Sequence, residues 1–280
     1  MTTTRFAPSP TGLLHLGHAY SAKVAFDLAR EHNGTFLLRH EDIDSSRVRD
    51  EFYQSIEEDL RWLGLNWDGE ILTQLPRQAV YESVLNQLKK TGIVYPCFCT
   101  RRDIQAEIAR SASAPHIKSH LYPGTCRELP THISADKIAN GASHAWRLDA
   151  KGAQEIHGPL TFVDSRFGNL TVNPELNGDA VIARKDIGIA YHLAVVVDDE
   201  FQNITHVTRG DDLLDSTHIH RQLQAILSYR EPTYLHHPSV CDSNGKRLAK
   251  RDNAMSIQQL RSEGISPEEI FVTAQNRLNQ

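Results

Sequence analysis

The chain opens with a strand–loop–helix–strand unit, and that unit restricts the possible folds more than any other feature. A loop, Ala7-Pro-Ser-Pro-Thr-Gly12, leads into His15-Leu-Gly-His18. Ala22, Val24, Ala25, Leu28 and Ala29 then recur at helical spacing, and Asn33-Gly34 supplies a stop. Thr35 to Arg39 reads as a buried strand running into an acidic cluster, Glu41-Asp-Ile-Asp44. A second helix is predicted with Phe52, Ile56, Leu60 and Leu63 on one face and Gly64 closing it. Strands alternating with helices imply an α/β fold built from parallel βαβ units.

The middle of the chain breaks that pattern. From about Pro96 to Gly178 the sequence falls into short pieces: Cys-Phe-Cys, a pair of arginines, then a Ser/Ala/His-rich stretch before Tyr-Pro-Gly-Thr-Cys. This segment reads as an inserted module. The α/β character is expected to return at Ala180 to Ala183, to continue through Tyr191 to Val197, and to give a strand-like run at Ile204 to Thr208. After about Pro232 come a basic loop and a final helix from about Pro267. The expected organisation is 1–95 and 179–232 as two halves of one catalytic domain, 96–178 as the insertion, and 233–280 as a loop with a helical segment.

Bulk composition narrows the class. Hydrophobic residues make up 40% and charged residues 23% of the 280, an ordinary globular balance. No stretch approaches the ~20 apolar residues of a membrane span, and the start lacks the basic flank and apolar core of a signal peptide. A cytoplasmic protein is expected. A net charge of −5 argues against a protein that coats nucleic acid indiscriminately, but permits a local basic patch at Lys246 to Arg251. Four cysteines are too sparse for a disulfide scaffold.

His15 and His18 open a helix, whose N-terminus offers free N–H groups and a partial positive charge suited to phosphates. Three residues apart, they share a face and can both donate to one triphosphate. Gly17 leaves room for a flat base to approach the backbone. The run from Arg5 to His18 resembles the "HIGH" motif of class I aminoacyl-tRNA synthetases in its glutamyl/glutaminyl form. Gly245-Lys-Arg-Leu-Ala-Lys-Arg251 is similar to the mobile "KMSKS" loop of that family, with Arg247 where lysine is usual and Ala249 where serine is usual. Lys250 matches its ATP-contacting lysine. The resemblance implies a Rossmann-type catalytic domain that forms an aminoacyl-adenylate from ATP with Mg²⁺. An ionised α-carboxylate needs no general base to attack the α-phosphorus; the reaction needs alignment and relief of negative charge as pyrophosphate leaves.

The same resemblance implies a glutamate pocket formed by Arg5, Phe6, Ala7, Pro8, Ser9, Glu41, Tyr191 and Arg209. Arg5 and Arg209 offer paired donors to carboxylates, Glu41 can hold the α-ammonium, and Tyr191 adds a directional hydroxyl. The bland alternatives are a surface ion pair between Arg209 and its neighbouring aspartates, and Glu41 as a helix-capping acid. Cys97, Cys99 and Cys126 are expected to supply three ligands to a zinc ion that wants four, the alternative being three unligated thiols. Resemblance to the truncated members of the glutamyl group makes Tyr122 the fourth, while His120 and His132 are nearby donors of more usual chemistry. Those truncated members lack an anticodon-binding domain, and this chain ends about thirty residues past the lysine loop. The partners then implied are L-glutamate and a tRNA(Asp) anticodon loop bearing queuosine, which would accept the glutamyl group, with the enzyme a monomer. Three alternatives compete: a catalytic fragment of a conventional glutamyl-tRNA synthetase that charges the 3′ end of tRNA(Glu), a small-metabolite nucleotidyltransferase with a His-x-Gly-His site, and a non-catalytic RNA-binding relative.

Overall fold

The computed structural model describes residues 1–111, 121–185, 188–241 and 255–278. Strand β1 (Thr3–Phe6) runs parallel to β2 (Thr35–His40), and helix α1 (Leu16–Glu31) is the crossover between them. Small residues on α1 allow it to lie close to the sheet. Ala19, Ala22, Ala25 and Ala29 are fully buried, and the Thr4 hydroxyl donates to Ala25 O at 2.7 Å. Val24 and Leu28, predicted on the same face, are only half-buried. The α1–β2 turn requires Asn33 in the left-handed region at φ 49° and a glycine at 34, since a Cβ there would lie 2.2 Å from Thr2 O.

Helix α2 (Asp50–Trp62) buries Ile56 and Leu60 and precedes β3 (Leu72–Thr73), which is parallel to β2. Helix α3 (Gln78–Thr91) leads to β4 (Val94–Cys97), α4 (Arg101–Ser111), α5 (Thr131–Ala139), β5 (Ala145–Leu148) and α6 (Ala150–His157). The hairpin β6 (Thr161–Asp164) and β7 (Gly168–Thr171) follows, then β8 (Val181–Arg184) and β9 (Gly188–Ile189). Helix α7 (Tyr191–Phe201), β10 (His206–Gly210), α8 (Leu214–Leu227) and β11 (Thr233–His237) return to the parallel core, where β10 and β11 pair in parallel. Helices α9 (Ile257–Ser262) and α10 (Pro267–Asn276) pack against α1 and α2, burying Leu260, Ile270 and Ala274 in their shared core.

The Thr205 N–H donates to Thr3 O at 3.0 Å, so β10 lies beside β1 and the parallel strands run β3-β2-β1-β10-β11. The chain winds outward in both directions from the β1/β10 boundary. In open α/β sheets ligands bind beyond the carboxyl ends of the strands at such a switch point, and here those ends carry Arg5, Phe6, Arg39 and Arg209.

Two segments lie elsewhere than their sequence suggested. The run at 180–183, read as the return of the parallel domain, falls largely in β8, a strand of the antiparallel sheet β4-β5-β8-β9. Hairpin β6–β7, inside the segment read as inserted, instead joins the parallel core through a parallel bridge from Asp164 to Tyr234 on β11. A four-residue apolar run looks alike in either sheet, and only long-range pairing separates them. Among the described residues no helix is long and apolar enough to cross a membrane.

Candidate active site

His15 is the N-cap of α1. Its Nδ1 accepts from the Gly17 N–H at 3.1 Å, and its own N–H donates to Nδ1 of His18 at 3.2 Å, a reciprocal capping box made of two imidazoles. The rings lie 3.8 Å apart, centroid to centroid. With both Nδ1 atoms accepting, each ring carries its proton on Nε2, the tautomer that donates to a phosphate oxygen. Gly17 has a nearer reason than ligand access for being glycine: a Cβ would sit 3.0 Å from His15 Cε1. Lys250, Arg247 and Ala249 lie outside the described residues. The segment just beyond them is anchored at the histidines, because Ser256 bridges His15 and the Ile257 N–H donates to Leu14 O at 2.8 Å.

Arg5, Glu41, Tyr191 and Arg209 gather at the switch point. The loop 7–10 is tied to the end of β2 by the Glu41 N–H, which donates to Pro8 O at 3.0 Å. Arg5 is buried, and its paired donors, expected on a substrate carboxylate, lie on Asp199 of α7 at 2.9 and 3.2 Å. Arg39 shares that carboxylate at 2.8 Å and donates to Glu41 at 3.1 Å. Burial opposes ionisation of Asp199, yet Arg5 and Arg39 hold its carboxyl below the usual range. Glu41 is pushed up, chiefly by burial, against the pull of Arg39 and Arg5. It is an ion-pair partner in the pocket and caps no helix.

Arg209 is buried as deeply, but its contacts are all neutral. Nε donates to His236 Nε2 at 3.0 Å and Nη2 to the Thr217 hydroxyl at 2.6 Å. Nη1 reaches His220 Nδ1 at 3.2 Å and the Tyr191 hydroxyl at 3.4 Å. Among the described residues no ion pair includes Arg209. Of the two aspartates that follow it, Asp211 meets Arg166 at 3.2 Å and the Ser239 hydroxyl at 3.0 Å. Burial, with the Arg209 charge beside it, lowers His236 to about 4, and the same two causes lower His192 to about 4.

The cysteines converge at the tip of β4. Cys97, Cys99 and Cys126 place their sulfurs within 4.8 Å of one another, with Cys99 and Cys126 3.5 Å apart. Zn–S bonds of about 2.3 Å in a tetrahedron imply sulfur separations of about 3.8 Å, so the trio fits a zinc ion. The Tyr122 oxygen lies 3.8 Å from Cys99 Sγ and accepts from the Cys126 N–H at 2.8 Å, at the edge a fourth ligand would occupy. His132 is not part of this group, and His120 lies outside the described residues. Cys241 is buried apart from the others.

Sequence reasoning missed Asp199, Arg39, Asp164, Thr217, His220 and His236. Two signals were present: an acidic pair, Asp198-Asp199, ending the apolar run Leu193 to Val197, and the clustered histidines at 218, 220, 236 and 237.

This arrangement, a paired-imidazole helix start beside a basic pocket at the switch point of a parallel sheet, has known counterparts. The chain belongs to the family of class I tRNA synthetases (E and Q), whose catalytic domain it matches over residues 1–278. It is thus a ligase of the class I aminoacyl-tRNA synthetase type, an ATP-using class. Within the family it is 44% identical to a glutamyl-Q tRNA(Asp) synthetase of Rhodobacter capsulatus, over 95% of this chain and 97% of that one. It is 37% identical to a glutamate–tRNA ligase of Hydrogenobaculum, over 97% of this chain but 57% of the ligase. Among solved structures, a glutamate–tRNA ligase of Elizabethkingia meningosepticum in complex with its amino acid superposes with a TM-score of 0.77 at 28% identity. That match covers 90% of this chain and 52% of the ligase, so the chain spans about half its length.

Proposed function

We propose that the protein activates L-glutamate as glutamyl-adenylate without tRNA, then transfers the glutamyl group to queuosine in the anticodon of tRNA(Asp). The observation that carries the amino-acid choice is Arg209, a buried cation surrounded by neutral acceptors. A glutamate side-chain carboxylate supplies the counter-charge that the described residues do not. Arg5, already neutralised by Asp199, shapes the pocket and keeps further N–H donors beside it. Glu41 is the anion for the α-ammonium, which on arrival would favour its charged form. Tyr191 orients the substrate, and the loop from Phe6 to Ser9 closes its near side.

In activation, the α-carboxylate oxygen attacks the α-phosphorus of ATP and pyrophosphate leaves. His15 and His18 donate from Nε2 to the phosphate oxygens, and Lys250 adds positive charge to them. Mg²⁺, when bound with ATP, would neutralise the departing pyrophosphate. Zinc held by Cys97, Cys99, Cys126 and Tyr122 would brace the end of β4 and the turn at 122–126, a structural role remote from phosphorus chemistry.

The greater identity to the Rhodobacter glutamyl-Q tRNA(Asp) synthetase, 44% against 37% to the Hydrogenobaculum glutamate–tRNA ligase, favours queuosine as acceptor. The test uses radioactive glutamate, ATP and tRNA(Asp) with or without queuosine, with nuclease mapping of the labelled nucleotide. Label at the queuosine position alone is expected. Label at the 3′-terminal adenosine of tRNA(Glu) would instead assign the conventional reaction.

A further inference from the structure

The three most buried arginines around the pocket are paired in two different ways. Arg5 and Arg39 each lie directly on carboxylates, Asp199 and Glu41. Arg209 reaches a carboxylate only through an imidazole. His236 Nδ1 lies 2.6 Å from Asp164 Oδ2, and His236 Nε2 is the atom that receives the Arg209 Nε–H. Because arginine only donates, His236 must be unprotonated on Nε2 and protonated on Nδ1, so the hydrogen bonds run Arg209 to His236 to Asp164. Asp164 is itself fixed: Oδ1 accepts the N–H groups of Arg166 and Phe167 at 2.8 and 2.9 Å, and Oδ2 accepts that of His236 at 3.1 Å.

We propose that Asp164 and His236 are positioning residues that hold Arg209 ready for glutamate without neutralising it. The inference rests on the reading that Arg209 receives the side-chain carboxylate. A carboxylate placed directly on Arg209 would occupy the donors the substrate needs. An uncompensated guanidinium in the interior would be costly to bury. A carboxylate behind a neutral ring meets both demands, supplying long-range attraction while the ring fixes the guanidinium plane. Four contacts account for four of the five donors, leaving one Nη2 proton without an acceptor among the described residues.

Asp164→Asn separates this role from a structural one. Its Oδ1 can still accept from Arg166 and Phe167, but the amide at the Oδ2 position gives up the backbone N–H of His236 and donates to the ring Nδ1 instead. That favours the opposite tautomer and turns an Nε2–H against the Arg209 Nε–H, the wrong-tautomer effect known for catalytic triads. The expected result is a glutamate KM raised about 10- to 100-fold in pyrophosphate exchange, the scale of one misdirected buried hydrogen bond. The kcat and the KM for ATP should change little. His236→Gln, whose amide oxygen can reach the Nε2 position, should retain most of the affinity, and His236→Phe should not. If ATP and glutamate KM rise together with a lower melting temperature, the two residues are structural only and the proposal is overturned. Arg209→Ala, run in parallel, separates the two claims. A normal glutamate KM in that variant would refute the pocket assignment, whereas loss there with a normal Asp164→Asn would refute only the positioning role.

Discussion

Arg5 and Arg209 occupy the carboxyl ends of adjacent parallel strands, and their sequence contexts say nothing about how differently they are paired. Arg209 precedes two aspartates, so a surface ion pair was an open reading; the fold draws Asp211 to Arg166 instead. Removing the Arg209 cation should therefore act on the substrate. Arg209→Ala is expected to raise the glutamate KM by about two orders of magnitude or more, since the ligand carboxylate loses its buried counter-charge. The KM for ATP, measured by pyrophosphate exchange, should stay within a few-fold. Histidines give a second prediction. His192 and His236 stay neutral in the fold down to about pH 4, because burial and the Arg209 charge oppose protonation. In the unfolded chain they titrate near 6.5. Between these values the unfolded chain binds more protons, so stability is full above about pH 6.5 and is lost as pH falls toward 4. Thermal melts from pH 7.5 to 4.5 should show a steady decline, and a flat profile would contradict the neutral histidine cage.

Helix α1 and strand β2 were legible because their signals are local: alanines at helical spacing, the Asn33-Gly34 stop, an apolar run. The structure adds why the stop must be glycine. The Gly34 N–H donates to Ala29 O at 2.7 Å, and its Cα faces Thr2 O so closely that any Cβ collides with backbone. Gly34→Ala is expected to destabilise the fold by about 2 kcal/mol or more, because backbone on both sides must shift. Urea denaturation would measure this, and glutamate activation per folded molecule should be unaffected. Strand β8 was harder to place. Its four residues carry no mark of which sheet they join, and β5 claims them through antiparallel pairing. Hairpin β6–β7 was misplaced for the same reason, with one consequence for function: it delivers Asp164 to the back of the Arg209 cage.

At the scale of the whole molecule, the cysteine cluster and the switch point are separate centres. If Cys97, Cys99, Cys126 and Tyr122 share an ion, metal analysis should find about one zinc per chain, and Cys99→Ser should lose it. Chelation should reduce transfer to RNA more than glutamate activation, because the cluster lies on the antiparallel sheet and the reacting groups on the parallel one. Equal loss of both activities would assign zinc to general stability.

What the sequence by itself determined was contiguous: the histidine pair at the start of a helix, the Cys-x-Cys, and the family. Short-range spacing suffices for these, since a cap, a turn or a pair of ligands is completed within a few residues. The tertiary structure alone decided which charges neutralise one another. Asp199 reaches Arg5 across 194 positions, and Asp164 reaches His236 across 72. Such pairs are chosen by strand order and burial, where the low dielectric makes every unmatched charge costly, and no local pattern in the chain records that choice.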